Sequence, residues 1–151
     1  MTPCPTQTPS LSVIIPAYNE AQRLPLCLKQ VLAYLDERGG TYEVLVVDDG
    51  SRDQTAQAVE SVAHRCPHVR LIRLTSNMGK GAAVRRGMQA ARGTYQLFVD
   101  ADGATPIEEL ARLESALLAG ADLAIGSRAL ASQDPTFTVR ARWHRNLLGN
   151  L

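Results

Sequence analysis

Five short apolar runs alternate with helical patterns along this chain, and that alternation leaves few folds open. The runs are Ser12–Ile15, Tyr42–Val47, Val69–Leu74, Tyr95–Val99 and Ala121–Gly126. They are dominated by apolar residues and read as strands buried on both faces. Between them, apolar residues recur at helical spacing, as in Leu24, Cys27, Leu28, Val31 and Leu35. Short joints through helices force successive strands to run parallel. The expected fold class is α/β, a mostly parallel sheet with helices on both faces.

Local signals set the expected boundaries. Pro16 should end the first strand, and Asn19 or Glu20 should open the first helix, with Pro25 in its first turn and Gly39-Gly40 closing it. Ser51 and Gln54 suggest a capping box for a helix reaching Ala63. Gly79-Lys80-Gly81 starts a helix through Arg92, closed by Gly93. Thr105, Pro106 and Glu108 take N-cap, N1 and N3 of a helix ended by Gly120, with Ile107, Leu110, Leu113 and Leu117 facing inward.

Composition removes whole classes of function. With 151 residues, 45% of them hydrophobic, the chain can bury one real core. Sixteen basic against fifteen acidic residues give no general affinity for nucleic acid. No apolar run reaches the roughly 18 residues of a membrane span. The start, MTPCPTQTPS, has no basic or apolar region of a signal peptide, so residues 1–10 are expected to be a disordered tail. Cys4, Cys27 and Cys66 are odd in number and scattered, which fits reduced thiols in a cytoplasmic protein. His64-x-Cys66-x-His68 lacks a fourth metal ligand, and Pro67 marks it as a connection.

Ligands of parallel sheets bind beyond the carboxyl ends of the strands. Polar residues collect there: Pro16 to Glu20, Asp48-Asp49, Asn77 to Lys80, Asp100 with Asp102, and Ser127-Arg128. The densest stretch is YQLFVDADGATP (Tyr95–Pro106), where two carboxylates leave a strand two residues apart. Alternation would aim both the same way, where they repel unless a cation lies between them. A hard Mg2+ or Mn2+ ion shared with phosphate oxygens meets that need. In isolation, each part also has a plain structural reading. Asp100 and Asp102 could be solvated in a turn, and Asp48-Asp49-Gly50-Ser51 could be a turn and helix cap. Gly79-Lys80-Gly81 lacks the pattern of a Walker A loop or a dinucleotide fingerprint. It can be a glycine-eased helix start, or one whose lysine helps to hold a diphosphate.

Together, VIIPAYNE (Val13–Glu20), VVDDGS (Val46–Ser51), NMGKGAAVRRG (Asn77–Gly87), FVDADGATP (Phe98–Pro106) and IGSR (Ile125–Arg128) carry a resemblance. In order and spacing they resemble the inverting family-2 glycosyltransferases of the GT-A, Rossmann-like fold. The DADGAT and GKGAAVRRGM segments are most similar to that family's dolichyl- and polyprenyl-phosphate β-glucosyltransferases. The resemblance implies transfer of glucose from a UDP-sugar to a polyprenyl or dolichyl phosphate, with inversion and with Mg2+ or Mn2+. It implies that Pro16, Ala17, Tyr18 and Glu20 border the nucleoside, while Val47, Asp48 and Asp49 hold base and ribose. Asp100-Ala101-Asp102 would be the DxD motif, with Asp100 and Asp102 at the metal and Asp102 its direct ligand. The cation would stabilise the leaving UDP. Lys80 and Arg128 would add positive charge near the phosphates, which makes Asp102 and Arg128 the catalytic candidates. Mannose-transferring relatives carry a glutamine where this chain has Ala104, which argues against mannose. A lipid phosphate is already ionised, so no general base is implied.

Near the C-terminus, Val139, Trp143, Leu147 and Leu151 share a helical stripe, with Arg142 and Arg145 opposite and Arg140 inside the apolar arc. Residues 139–151 are expected to begin a basic amphipathic helix suited to a membrane interface, although a helix packed on the domain shows the same pattern. Arg128 and Arg140 are the candidate contacts for an acceptor phosphate. The donor-binding domain is expected over residues 11–138. The family continues past the position of Leu151, so the chain is expected to be C-terminally truncated, acting at the cytoplasmic face of a membrane. Two other readings stay open. One is a nucleotide-sugar-binding fragment without catalysis. The other is a haloacid-dehalogenase-like phosphatase, whose DxDG signature would belong on the first strand rather than the fourth. Nothing in the sequence fixes an oligomeric state.

Overall fold

A computed structural model describes residues 8–126 of the chain. The elements are β1 (Leu11–Ala17), α1 (Leu24–Arg38), β2 (Tyr42–Asp48), α2 (Thr55–Ala63), β3 (Val69–Arg73), α3 (Lys80–Ala90), β4 (Tyr95–Phe98), a 3-10 turn (Ile107–Glu109) and α4 (Leu110–Leu118). The four strands form one parallel sheet in the order β3-β2-β1-β4. Right-handed crossovers place α1 and α2, which carry the chain outward to β3, on one face. They place α3, which carries it back across to β4, on the other. Two compact units divide at Glu108, Met1–Glu108 and Glu109–Leu151; the sheet lies wholly in the first, and α4 belongs to the second. The boundary expected at residue 138 lies outside the described residues.

The two central strands are buried along their whole length. Their register runs from Leu11 beside Tyr42 to Ala17 beside Asp48. On the α3 face, Ile14, Leu45 and Val47 pack with Ala83 in one cluster, partly covered by Ile72, Leu74, Met88 and Ala91. Gly87, one turn beyond Ala83, lies against the same strands. A Cβ there would collide with Ile14 and come within 3.1 Å of Val47 Cγ2. The helix can sit this close to the sheet only because its inner ridge is Ala and Gly.

The opposite, amino edge of the sheet is tied by one buried carboxylate. Glu43 Oε1 accepts hydrogen bonds from the Ser12 hydroxyl (2.8 Å) and the Arg92 N–H (2.7 Å). Its Oε2 accepts from Arg70 (2.9 Å) and from the Arg92 guanidinium (3.1 Å). Ser12 Oγ in turn accepts the Gly93 N–H at 2.8 Å. Burial alone would raise the Glu43 pKa. The Arg92 N–H, the Ser12 hydroxyl and the Arg92 guanidinium outweigh that and hold it below the usual range.

Several boundaries differ from expectation, each for a local reason. β1 runs through Pro16 to Ala17. In a parallel strand successive residues bond to opposite neighbours, and Pro16 faces the β4 side. There β4 pairing ends at Ile14–Phe98, so the missing N–H forfeits no ladder bond. α1 begins at Leu24 rather than at Asn19 or Glu20, because Asn19 is left-handed at φ 53° and cannot be helical. The expected Ser51–Gln54 capping box does not form. Ser51 Oγ instead accepts the Asn19 N–H, and Asp53 Oδ1 takes the Thr55 N–H at 2.9 Å. α3 stops at Ala90, short of Arg92, whose N–H goes to Glu43. The helix expected from Thr105 opens as a 3-10 turn, a common way for a helix to begin. Ile107 and Leu110 are buried as expected, while Leu113 and Leu117 are half-buried. Ala121–Gly126 is not a strand: it pairs with no described strand, and Leu123 and Ile125 are exposed. At the start of the chain, Ser10, expected in the tail, bonds through its N–H and hydroxyl to Thr41.

Gly87→Ala should destabilise the chain by about 1–3 kcal/mol through overpacking, read as a lower midpoint in urea unfolding. Gly81→Ala, where the added Cβ would meet nothing within 4 Å, is the control. Because the folded pKa of Glu43 is depressed, its contribution is complete above the ordinary glutamate value of 4.5 and is lost as pH falls through the lower folded value. Glu43→Gln should therefore be less stable at neutral pH, with the gap to the parent narrowing in acid. A gap independent of pH would contradict this.

Candidate functional site

At the carboxyl edge, β1 and β2 end side by side, and Asp49 continues the ladder by donating its N–H to the Ala17 carbonyl at 2.8 Å. The Asp49 carboxylate is buried and fully used. Oδ1 accepts the Met78 N–H and Oδ2 the Gly79 N–H, each at 2.8 Å. These two donors lead directly into α3, so Asp49 fixes where that helix starts and thereby where Lys80 projects. Gly50 lets the Ser76–Asn77 backbone pass close by. It has φ 70°, and a Cβ would lie 2.7 Å from the Ser76 carbonyl carbon.

Asp48 is different. It is fully buried, and Oδ1 accepts the Ser51 N–H at 3.0 Å. Oδ2 has no hydrogen-bond partner. Arg73 Nε stands 3.6 Å away, within reach of an ion pair but too far for a hydrogen bond. A buried carboxylate oxygen with an open acceptor position is costly, and such groups collect where ligands bind.

The β1–α1 loop is sewn to the β2–α2 loop. The Asn19 N–H goes to Ser51 Oγ (2.9 Å), the Arg52 N–H to Asn19 Oδ1 (2.9 Å), the Glu20 N–H to Thr55 Oγ1 (2.8 Å) and the Ala21 N–H to Asp53 Oδ2 (3.2 Å). On this joined surface Glu20 grips Arg23 with both oxygens, at 2.7 and 2.5 Å. Glu20 keeps the guanidinium firmly charged, and Asp102 adds to that field.

The Val99 N–H bonds to the Ile14 carbonyl, carrying the ladder one residue past β4 to the Asp100–Asp102 turn. Asp100 Oδ1 meets Lys80 Nζ at 2.5 Å. Asp102 Oδ1 accepts the Ala104 N–H at 3.0 Å, and between the two aspartates Ala101 is buried. Below the turn, the Cys27 thiol donates to the Asp100 carbonyl across 3.7 Å. Burial first, then the charge of Asp102, pushes this thiol up to about 11, so it stays protonated and unreactive. The two carboxylates were expected to need one shared cation. Here Lys80 pairs with Asp100, and Arg23 lends its field to Asp102.

Ala17, Asp48, Asp49, Lys80, Asp100, Ala101 and Asp102 thus belong to one edge of the sheet. Tyr18 and Glu20 stand on the adjoining loop, with Tyr18 41% exposed. Pro16 and Val47 are buried within the strands, and the Val47 side chain packs in the core. Arg128 and Arg140 lie outside the described residues. Sequence reasoning placed Asn19 at this edge and missed Arg23, Cys27 and Arg73. Of these, only the Glu20–Arg23 pair left a signal, its i, i+3 spacing. Two carboxylates fit a hard divalent cation whose remaining ligands are phosphate oxygens and water. Among the described residues no cluster of three or more His, Cys, Asp or Glu could form a self-contained cage.

The comparisons with known proteins bear on family and fold. The Glycosyl transferase family 2 model matches residues 12–150, and the chain belongs to that family. The phosphatase reading falls with that result. The chain is 47% identical over 141 residues to a dolichyl-phosphate beta-glucosyltransferase of Drosophila melanogaster, covering 85% of this chain and 43% of the relative. It is 44% identical over 117 residues to the Homo sapiens protein of that name, covering 73% and 36%. Among solved structures it is similar to a mannosyltransferase from Pyrobaculum calidifontis in complex with GDP-Man and Mn2+. The TM-score is 0.55 at 33% identity, over 64% of this chain and 28% of that one. The GT-A class of fold is the one expected. The chain spans less than half the length of these relatives.

Asp49→Asn can accept only one of the two N–H groups and sets an amide against the other. Unfolding should show a loss of about 2–3 kcal/mol, and hydrogen exchange should quicken at the Met78 and Gly79 amides. Unchanged protection at both amides would disprove the clamp.

Proposed function

We propose that this chain forms the donor site of a hexosyltransferase that moves glucose from UDP-glucose to a dolichyl or polyprenyl phosphate. The observation that carries the reading is the buried Asp48 Oδ2, which has no hydrogen bond and only Arg73 within ion-pair reach, on the same sheet edge as Asp100 and Asp102. A carboxylate oxygen that still lacks a hydrogen bond suits the ring N–H of uracil, and the adjacent Tyr18 offers an aromatic face. Asp100 and Asp102 would hold Mg2+ or Mn2+, which when bound neutralises the diphosphate and assists departure of UDP. Lys80 would lie toward the phosphates, with Asp49 holding its helix in place. An acceptor phosphate oxygen, already anionic, forms the new bond to the anomeric carbon as the bond to the UDP oxygen breaks. Configuration inverts, and no base removes a proton. Arg128 and Arg140 are proposed for the acceptor phosphate. Glucose and the lipid phosphate are supported by the names of the relatives, and the cation by the Mn2+ of the structural neighbour.

We place the protein at the cytoplasmic face of a membrane because such an acceptor is a lipid; no described helix is long and apolar enough to cross one. The donor-binding domain is proposed over residues 11–138 and the interfacial helix over 139–151. Donor binding without transfer is the second reading.

Calorimetric titration with UDP-glucose should show binding that strengthens with Mn2+. Asp102→Asn should abolish the Mn2+ effect. Asp48→Asn should weaken binding about tenfold or more with and without Mn2+, as loss of one charged hydrogen bond requires. A folded chain that ignores UDP-glucose at saturating Mn2+ would sink the proposal. Release of UDP on adding polyprenyl phosphate separates transfer from binding alone.

A further inference from the structure

The two cations beside the paired aspartates are held very differently. Arg23 is gripped by both oxygens of Glu20, at 2.7 and 2.5 Å, and that fork fixes it. Lys80 has one point contact with Asp100 Oδ1 at 2.5 Å. Both partners of that contact are open to water, with side chains 59% and 39% exposed, so breaking it is cheap. The backbone behind Lys80 is pinned by Asp49 through Met78 and Gly79, while its four-carbon stem is flexible. An ammonium on Asp100 Oδ1 and a divalent ion on the same carboxylate repel each other strongly at contact distance.

We propose that Lys80 is an exchangeable counter-ion. It holds Asp100 while the donor is away, and it yields the carboxylate when a divalent cation and a nucleoside diphosphate arrive together. This rests on the donor-site reading above and goes beyond it by assigning the order of events. The cation alone must compete with Lys80 for Asp100. When a diphosphate comes too, the displaced ammonium gains phosphate oxygens as partners. Metal and nucleotide therefore bind with positive coupling, and Lys80 is a source of it. Arg23, anchored by Glu20, remains in place throughout.

The test measures binding, not turnover. Mn2+ binding to the parent chain, Lys80→Met and Lys80→Arg is followed by calorimetry and by loss of the free-Mn2+ paramagnetic resonance signal, with and without UDP. Methionine keeps much of the stem and removes the charge. Lys80→Met should bind Mn2+ alone several-fold more tightly than the parent. It should also bind UDP more weakly at saturating Mn2+, so that the mutual enhancement shrinks. Lys80→Arg, which keeps the charge, should retain the suppression of Mn2+ binding. Equal or weaker Mn2+ binding by Lys80→Met would overturn the exchange while leaving the donor site standing. Failure of all three proteins to bind Mn2+, even with UDP, would overturn both.

Discussion

The site depends on the parallel register of two strands that are buried from end to end. β1 and β2 pair from Leu11–Tyr42 to Ala17–Asp48 with no solvated face, so a slip of one residue would turn each strand's core side chains to the wrong layer. That register makes Ala17 and Asp48 finish level with each other. The loops that follow are then close enough to share Ser51, Asp53 and Thr55 as acceptors for the Asn19, Ala21 and Glu20 N–H groups. Packing in the middle of the sheet thus sets geometry at its edge.

Three buried carboxylates show how partner supply decides role. Glu43 at the amino edge has donors on both oxygens and ties β1, β2, β3 and the end of α3 together. Asp49 at the carboxyl edge is also satisfied on both oxygens, by backbone N–H groups, and shapes a loop. Asp48, its neighbour in sequence, is satisfied on one oxygen only. Carboxyl chemistry is common to all three, and Asp48 stands apart in having one oxygen with no hydrogen bond and only Arg73 within ion-pair reach.

Much of this was legible in the sequence because it rests on short apolar runs and on helical spacing of period 3.6. The four described strands, the helices between them and the gathering of Asp48, Asp49, Asp100 and Asp102 at one edge follow from apolar spacing and from the rule for parallel sheets. The misses lie where a distant partner overrides a local signal. Ser51 looked like a helix cap, but Asn19 claims its hydroxyl. Arg92 looked helical, but Glu43 claims its N–H. Pro16 looked like a strand end, and only the registers on its two sides explain why it is not. Ala121–Gly126 has strand composition, yet composition cannot supply a ladder partner.

The same logic bears on how an acidic site could receive a diphosphate. A helix N-terminus often supplies the anion-binding groups. Here Asp49 occupies the two N–H groups that lead into α3 and sets a negative charge at its start. Part of the favourable field of that helix is therefore already spent on holding the loop. On the donor-site proposal, side-chain charge and a bound cation would then carry much of the phosphate recognition at this edge. Lys80 stands at the first residue of α3, directly after the clamp, and reaches Asp100. The clamp that takes up the Met78 and Gly79 N–H groups is the same interaction that positions Lys80.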